Sequence, residues 1–228
     1  MNENIRTMFE KKGFRLTSEQ EKAFDGYYDL LIEWNHKMNL TGITDERGVY
    51  MKHFLDSLML AKGIDLNGKH LLDVGSGAGF PGIPLKIMFP AMQLTIIDAL
   101  KKRVQFLEVL TDALNIEAAL IHGRIEEHER KASYDVVTAR AVAPLNTLGE
   151  FCVPFVKPGG YFVAYKSNRY QEEVETSNKA LTLLGARLSD HKDFSIDGNF
   201  RTLLMYEKIN DTPGQYPRKY NKIKSKPL

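Results

Sequence analysis

The stretch Leu71-Leu72-Asp73-Val74-Gly75-Ser76-Gly77-Ala78-Gly79-Phe80-Pro81-Gly82 limits what this chain can become more than any other. An apolar run breaks into glycines at alternate positions and restarts as an amphipathic segment, Ile83 to Met88. That is a strand, a tight turn and a helix start, the opening of a β–α unit. In a parallel α/β sheet the carboxyl end of such a strand faces the ligand crevice. Gly75, Gly77 and Gly79 allow backbone conformations closed to other residues and let a ligand approach the main chain.

The unit repeats its rhythm rather than its sequence. Strands are predicted over His70 to Val74, Gln93 to Asp98, Ala118 to His122, Tyr134 to Ala139 and Gly160 to Tyr165, with helices over Ile83 to Phe89, Lys101 to Leu114, Leu145 to Val156 and Gln171 to Leu184. This alternation requires crossovers and a mostly parallel sheet covered on both faces. After Gly185 the rhythm changes to a hairpin, His191 to Ser195 and Phe200 to Glu207, turning at Asp197-Gly198. Before the sheet, Thr17 to Met38 reads as a helix with Ser18 and Glu21 in its capping turn, and Val49 to Lys62 as a second helix ended by Gly63. The expected division is an N-terminal helical cap over 1–64, a core over 65–211 and a basic tail over 212–228.

Gly77 to Gly82 matches G-x-G-x-x-G, but alone that match is weak evidence for a dinucleotide. The first glycine of the turn is Gly75, giving G-x-G-x-G, and Asp73 stands at the strand end where a pyrophosphate would be repelled. An anion there favours a cationic ligand such as S-adenosylmethionine, with its sulfonium and α-ammonium groups. Asp98 ends the second strand 25 residues after Asp73, where a carboxylate can accept hydrogen bonds from both ribose hydroxyls. The structural alternative is a cap for the helix beginning at Lys101. After the third strand, Gly123-Arg124-Ile125-Glu126 lies where an adenine edge would be read, through the backbone at Ile125 and Glu126 or the Glu126 carboxylate, which could equally be an early-helix acid. Thr138-Ala139-Arg140-Ala141-Val142-Ala143-Pro144 brings Arg140 to the crevice floor, free to meet substrate or cofactor; the alternative is a structural partner for an acid such as Asp73.

Composition excludes more than it proposes. The 228 residues are 43% hydrophobic and 26% charged, enough for one substantial core. No apolar run reaches membrane-span length and the start of the chain lacks a secretory apolar segment, so a cytoplasmic protein is expected. The one cysteine, Cys152, precludes an internal disulfide and a cysteine zinc site, and His122 and His128 have no third ligand nearby; no metal is expected. Net charge is only +2, but Arg218, Lys219, Lys222, Lys224 and Lys226 form a basic tail with no acid among them.

Taken with Asn39-Leu40-Thr41, His53-Phe54-Leu55-Asp56-Ser57, Lys157-Pro158-Gly159-Gly160 and Tyr216-Pro217-Arg218-Lys219, these motifs in this order resemble the GidB, or RsmG, family along nearly the whole chain. The resemblance implies a Rossmann-like class I S-adenosylmethionine-dependent methyltransferase acting on guanine N7 in 16S ribosomal RNA of the small ribosomal subunit. It further implies cofactor binding by Gly75, Phe80, Ile125, Glu126 and Arg140, with Asp98 as the second-strand acid. Asp73, Gly77 and Gly79 complete the expected cofactor set, and Arg140 is also the expected positioning residue. Lys166, Arg201, Arg218 and Lys219 are the expected RNA contacts, and a monomer is expected. The chain departs from the family where Asn221-Lys222-Ile223 replaces a Gly-x-Pro element. Another methyl acceptor, a non-catalytic RNA-binding protein of this fold and a nicotinamide-dependent dehydrogenase remain alternatives.

Overall fold

The computed structural model describes residues 1–140, 143–167 and 170–228. Its frame is a seven-stranded sheet: β1 (His70–Val74), β2 (Gln93–Asp98), β3 (Ala119–His122), β4 (Tyr134–Arg140), β5 (Val156–Lys166), β6 (Ala186–Ile196) and β7 (Asn199–Lys208). Their spatial order is β3-β2-β1-β4-β5-β7-β6. The first five strands run parallel; β7 is antiparallel to both β5 and β6. The order reverses between β1 and β4, so a crevice opens at the carboxyl end of β1. The expected mostly parallel, Rossmann-like sheet with its terminal antiparallel hairpin is therefore present.

Alternate side chains of each strand serve opposite cores. Leu71, Ile96, Val136 and Val163 face one way, against α2 (Ser18–Asn35), α5 (Gly82–Met88) and α6 (Lys101–Ala113). Leu72, Ile97, Val137 and Phe162 face the other, against α7 (Leu145–Cys152) and α8 (Gln171–Leu183). The N-terminal helices share the first core: Ile5 and Phe9 of α1 (Glu3–Lys11), and Phe24, Tyr27 and Leu31 of α2, are buried in it.

Several local expectations are corrected. The cap of α2 is Thr17, not Ser18, with Gln20 rather than Glu21 returning the reciprocal bond. The second helix begins earlier than Val49 and is mixed: α3 (Glu46–Val49), a π-helical stretch Tyr50–Leu55, α4 (Asp56–Leu58) and a 3₁₀ turn Met59–Lys62. Asp45 caps its start through the Gly48 amide at 2.7 Å. The hairpin strands extend beyond His191 to Ser195 and Phe200 to Glu207, because the edge strand β6 pairs along its length with β7. The basic tail carries α9 (Tyr220–Ser225), and within it Tyr216 and Ile223 are buried.

Candidate functional site

The glycine turn after β1 is built from left-handed backbone. Gly75, Gly77 and Gly79 have φ values of 69°, 62° and 100°. At Gly79 a Cβ would also lie 2.7 Å from the Tyr27 hydroxyl, so both conformation and space favour glycine there. Tyr27 donates its hydroxyl proton to the Ala78 carbonyl at 2.5 Å, which fastens the turn to α2. The helical cap thus holds the loop that ends β1.

A cavity of about 360 Å³, within the range of small-ligand sites, opens at the switch point. Gly75, Asp98, Ile125 and Glu126 all line it, at the ends of β1, β2 and β3 as the strand pattern implies. Asp98 is buried at 3% exposure; its Oδ1 accepts from the Leu100 amide at 2.9 Å and its Oδ2 from the Gly77 amide at 3.1 Å. Asp98 therefore shapes the turn before α6 and ties it to the glycine loop while remaining on the cavity wall. Arg103 approaches the same carboxylate at 3.5 Å. Glu126 sits in the 3₁₀ turn Ile125–Glu127, and its buried Oε1 has no partner among the described residues. Burial pushes this carboxyl above its ordinary range. An unpaired buried acceptor beside an apolar wall fits a ligand with an amino group and a flat apolar body.

Asp73 does not line this cavity. It is fully buried beneath the turn, where Oδ2 accepts from the Gly82 amide at 2.8 Å and Oδ1 is unpartnered among the described residues. Burial pushes its carboxyl up to about 7, against the Gly82 amide and the Arg140 charge, which pull it down. Gly77 does not line the cavity; its amide donates to Asp98 Oδ2, while Gly79 and Phe80 also lie off the wall, Phe80 buried against Tyr27 and His53 of the helical cap.

Arg140 belongs to a second cavity, of about 690 Å³, that shares Ala143 with the first. Its structural partner is Asp56, at 3.1 Å, rather than Asp73. It also donates to His53 Nδ1 at 3.2 Å and toward the Lys52 carbonyl at 3.4 Å, and its guanidinium lies 4.9 Å from the Phe80 ring centroid. His53 stacks on Phe80 at 4.6 Å and bonds Thr41 Oγ1 through Nε2 at 2.7 Å. Burial, and next the Arg140 charge, push this histidine down to about 3, so it is neutral. Burial lifts Asp56 above its ordinary range although Arg140 and Arg201 oppose it. His53 and Asp56 reach Arg140 from the π-helical stretch and the turn that follows, a widening of the helix that recurs at functional sites. The rest of the Arg140 motif, Ala141 and Val142, lies outside the described residues.

The four expected RNA contacts have different surroundings. Lys166 and Arg201 line the second cavity, Lys166 paired with Glu173 at 2.7 Å and Arg201 with Asp56 at 3.5 Å. Arg218 is instead committed inward: its guanidinium forks onto fully buried Glu150 at 2.7 and 2.6 Å, and its amide donates to the same carboxylate. The reason is electrostatic, since Glu150 would otherwise be a lone charge in the core. Lys219, next in the chain, is exposed. Asp56 and Glu150, the partners of Arg140 and Arg218, are not among the expected site residues; the motif His53-Phe54-Leu55-Asp56-Ser57 is the available signal for the first.

A family model described as GidB, rRNA small subunit methyltransferase G, matches residues 20–200. The protein named ribosomal RNA small subunit methyltransferase G from Staphylococcus carnosus is 46% identical over 93% of this chain and 92% of its own. Its namesake from Geobacillus kaustophilus is 46% identical over 98% of each chain. Among solved structures, TrmN from Thermus thermophilus superposes with a TM-score of 0.53 at 17% identity, over 67% of this chain and 47% of that one. The [4+2]-cyclase SpnF superposes with a TM-score of 0.55 at 14% identity, over 68% and 82%. At these identities the last two show a shared fold and nothing of the reaction, so chemistry must be argued from the site.

Proposed function

The chain belongs to the GidB family, described as rRNA small subunit methyltransferase G, and from that premise we propose that it methylates N7 of a guanine in 16S ribosomal RNA of the small ribosomal subunit, using S-adenosylmethionine. The observation that carries this reading is the switch-point cavity, where Gly75, Asp98, Ile125 and Glu126, whose Oε1 has no partner among the described residues, meet beside a second, charged cavity. In it Asp98 would hold the ribose, and the Ile125-Glu126 turn the adenine. The glycine turn, with Gly77 and Gly79, would receive the amino-acid end, and Asp73 would supply negative charge from beneath it. Phe80 would pack the turn that positions that end.

When bound, S-adenosylmethionine supplies a methyl group on a positively charged sulfur. Guanine N7 offers a lone pair and carries no proton, so the chain need only position the base in line and exclude water. The second cavity agrees with a reaction that needs no general base. His53 is neutral but has both ring nitrogens engaged, by Thr41 and Arg140. Arg140 is held by Asp56, His53 and the Lys52 carbonyl in one orientation, a fixed donor for O6 or a phosphate of the acceptor or for the cofactor carboxylate. N7 is hidden in the deep major groove of paired RNA, so the target guanine is unpaired or flipped.

The roles divide as cap over 1–64, catalytic core over 65–211 and basic segment over 212–228. Lys166 and Arg201 stand at the rim of the second cavity, and Lys219 outside it, as phosphate contacts. The test is methyl transfer from labelled S-adenosylmethionine to unmethylated small-subunit RNA or assembling subunits, with the labelled nucleoside identified by mass spectrometry. Label in 7-methylguanosine, lost in Asp98→Ala, is the expected result. Cofactor binding without label on any such acceptor would overturn the substrate assignment.

A further inference from the structure

The C-terminal segment does something its charge does not announce. Tyr220 and Lys224 of α9 line the same cavity as Gly75 and Asp98, more than a hundred residues away in sequence. Tyr220 is not there by loose contact. The Arg124 guanidinium lies 4.1 Å from its ring centroid, and the ring stacks on Phe151 at 6.2 Å and 17°. Arg124 comes from the turn after β3 and Phe151 from α7, and both also line the cavity.

The segment is latched at four further points. Tyr216 is buried, and its carbonyl accepts from Lys131 Nζ at 2.7 Å. Arg218 forks onto Glu150, the residue before Phe151. Ile223 is fully buried, and Asn146 donates to the Leu228 carbonyl at 2.8 Å. On the other side of α9, Lys222 and the flanking Lys219 and Lys226 are exposed. One short helix therefore presents an aromatic ring to the cavity and cationic side chains to solvent.

We infer that residues 216–228 form a wall of the cofactor pocket, with Tyr220 as a cofactor-binding residue that closes the adenosine end against the Ile125-Glu126 turn. The inference rests on the cofactor reading above and adds to it a residue outside the sheet.

Titration calorimetry with S-adenosylhomocysteine on wild type, Tyr220→Ala and Tyr220→Phe tests this, together with hydrogen exchange of the wild type with and without that ligand. Loss of an aromatic wall is expected to weaken binding about tenfold in Tyr220→Ala, while Tyr220→Phe, which keeps the ring, stays within about twofold of wild type. Amides of 216–228 are expected to exchange more slowly when the ligand is bound. Equal affinity in all three proteins with unchanged exchange in the segment would overturn this inference and leave the cofactor reading intact. A wild type that does not bind the ligand would overturn both.

Discussion

His53 shows how much chemistry one side chain can be made to give up. Its ring is stacked on Phe80 and its two nitrogens are bonded to Thr41 and Arg140, so the folded protein holds it neutral until about pH 3. In the unfolded chain it takes a proton near its ordinary value of about 6.5. Because its folded value is depressed, its contribution is complete above about pH 6.5 and is lost as pH falls toward 3. Asp73 works in the opposite direction. Its folded value, near 7, lies above the unfolded one, so its burial penalises the fold increasingly as pH rises from about 4 to 7. The expected outcome for His53→Gln follows: the stability gap between wild type and variant, read by urea denaturation, narrows from pH 7 to pH 5. A gap that widens would mean that the histidine is charged in the folded state.

At the scale of elements, the carboxyl ends of the strands could be read from sequence to within a residue because the apolar run stops where the strand stops, whereas β5 and β6 begin four and five residues before the expected starts. The bounds of β1 and β2 match expectation, and Gly75, Asp98, Ile125 and Glu126 converge because they follow consecutive parallel strands. Helix starts were harder. Thr17 and Ser18 are both good caps and each has a partner three residues on, Gln20 or Glu21, so local chemistry alone cannot choose. The structure chooses by tertiary contact: Gln20 also donates from Nε2 to the Ile87 carbonyl at 3.1 Å, and Arg6 takes Glu21 at 2.7 Å. Thr17→Ala is expected to cost about 1 kcal/mol in denaturant unfolding, and Ser18→Ala a few tenths. The contacts of Asp56 and Tyr220 were not readable in this way. They come from elements outside the strand–helix alternation, and only packing brings them to a cavity.

For the whole molecule, charge placement matters more than charge sum. A net +2 conceals exposed Lys219, Lys222 and Lys226 on one terminal segment, while the neighbouring Arg218 is spent on Glu150. Each lysine that meets a phosphate of single-stranded RNA contributes a slope of about −0.7 in log K against log salt. Lys219→Ala is therefore expected to make the salt dependence of RNA binding shallower by about that amount, measured by filter binding across a salt series; an unchanged slope would remove Lys219 from the contact. The strand order carries another consequence. β7, which follows β6 in the chain, lies between β5 and β6, and among the described residues β6 pairs with β7 alone. A growing chain that has emerged only through β6 has nowhere to dock that strand, and its β5 keeps a bare edge of backbone donors and acceptors, open to another chain. Until β7 leaves the ribosome, the sheet stops at the open edge of β5, two strands short of its final width.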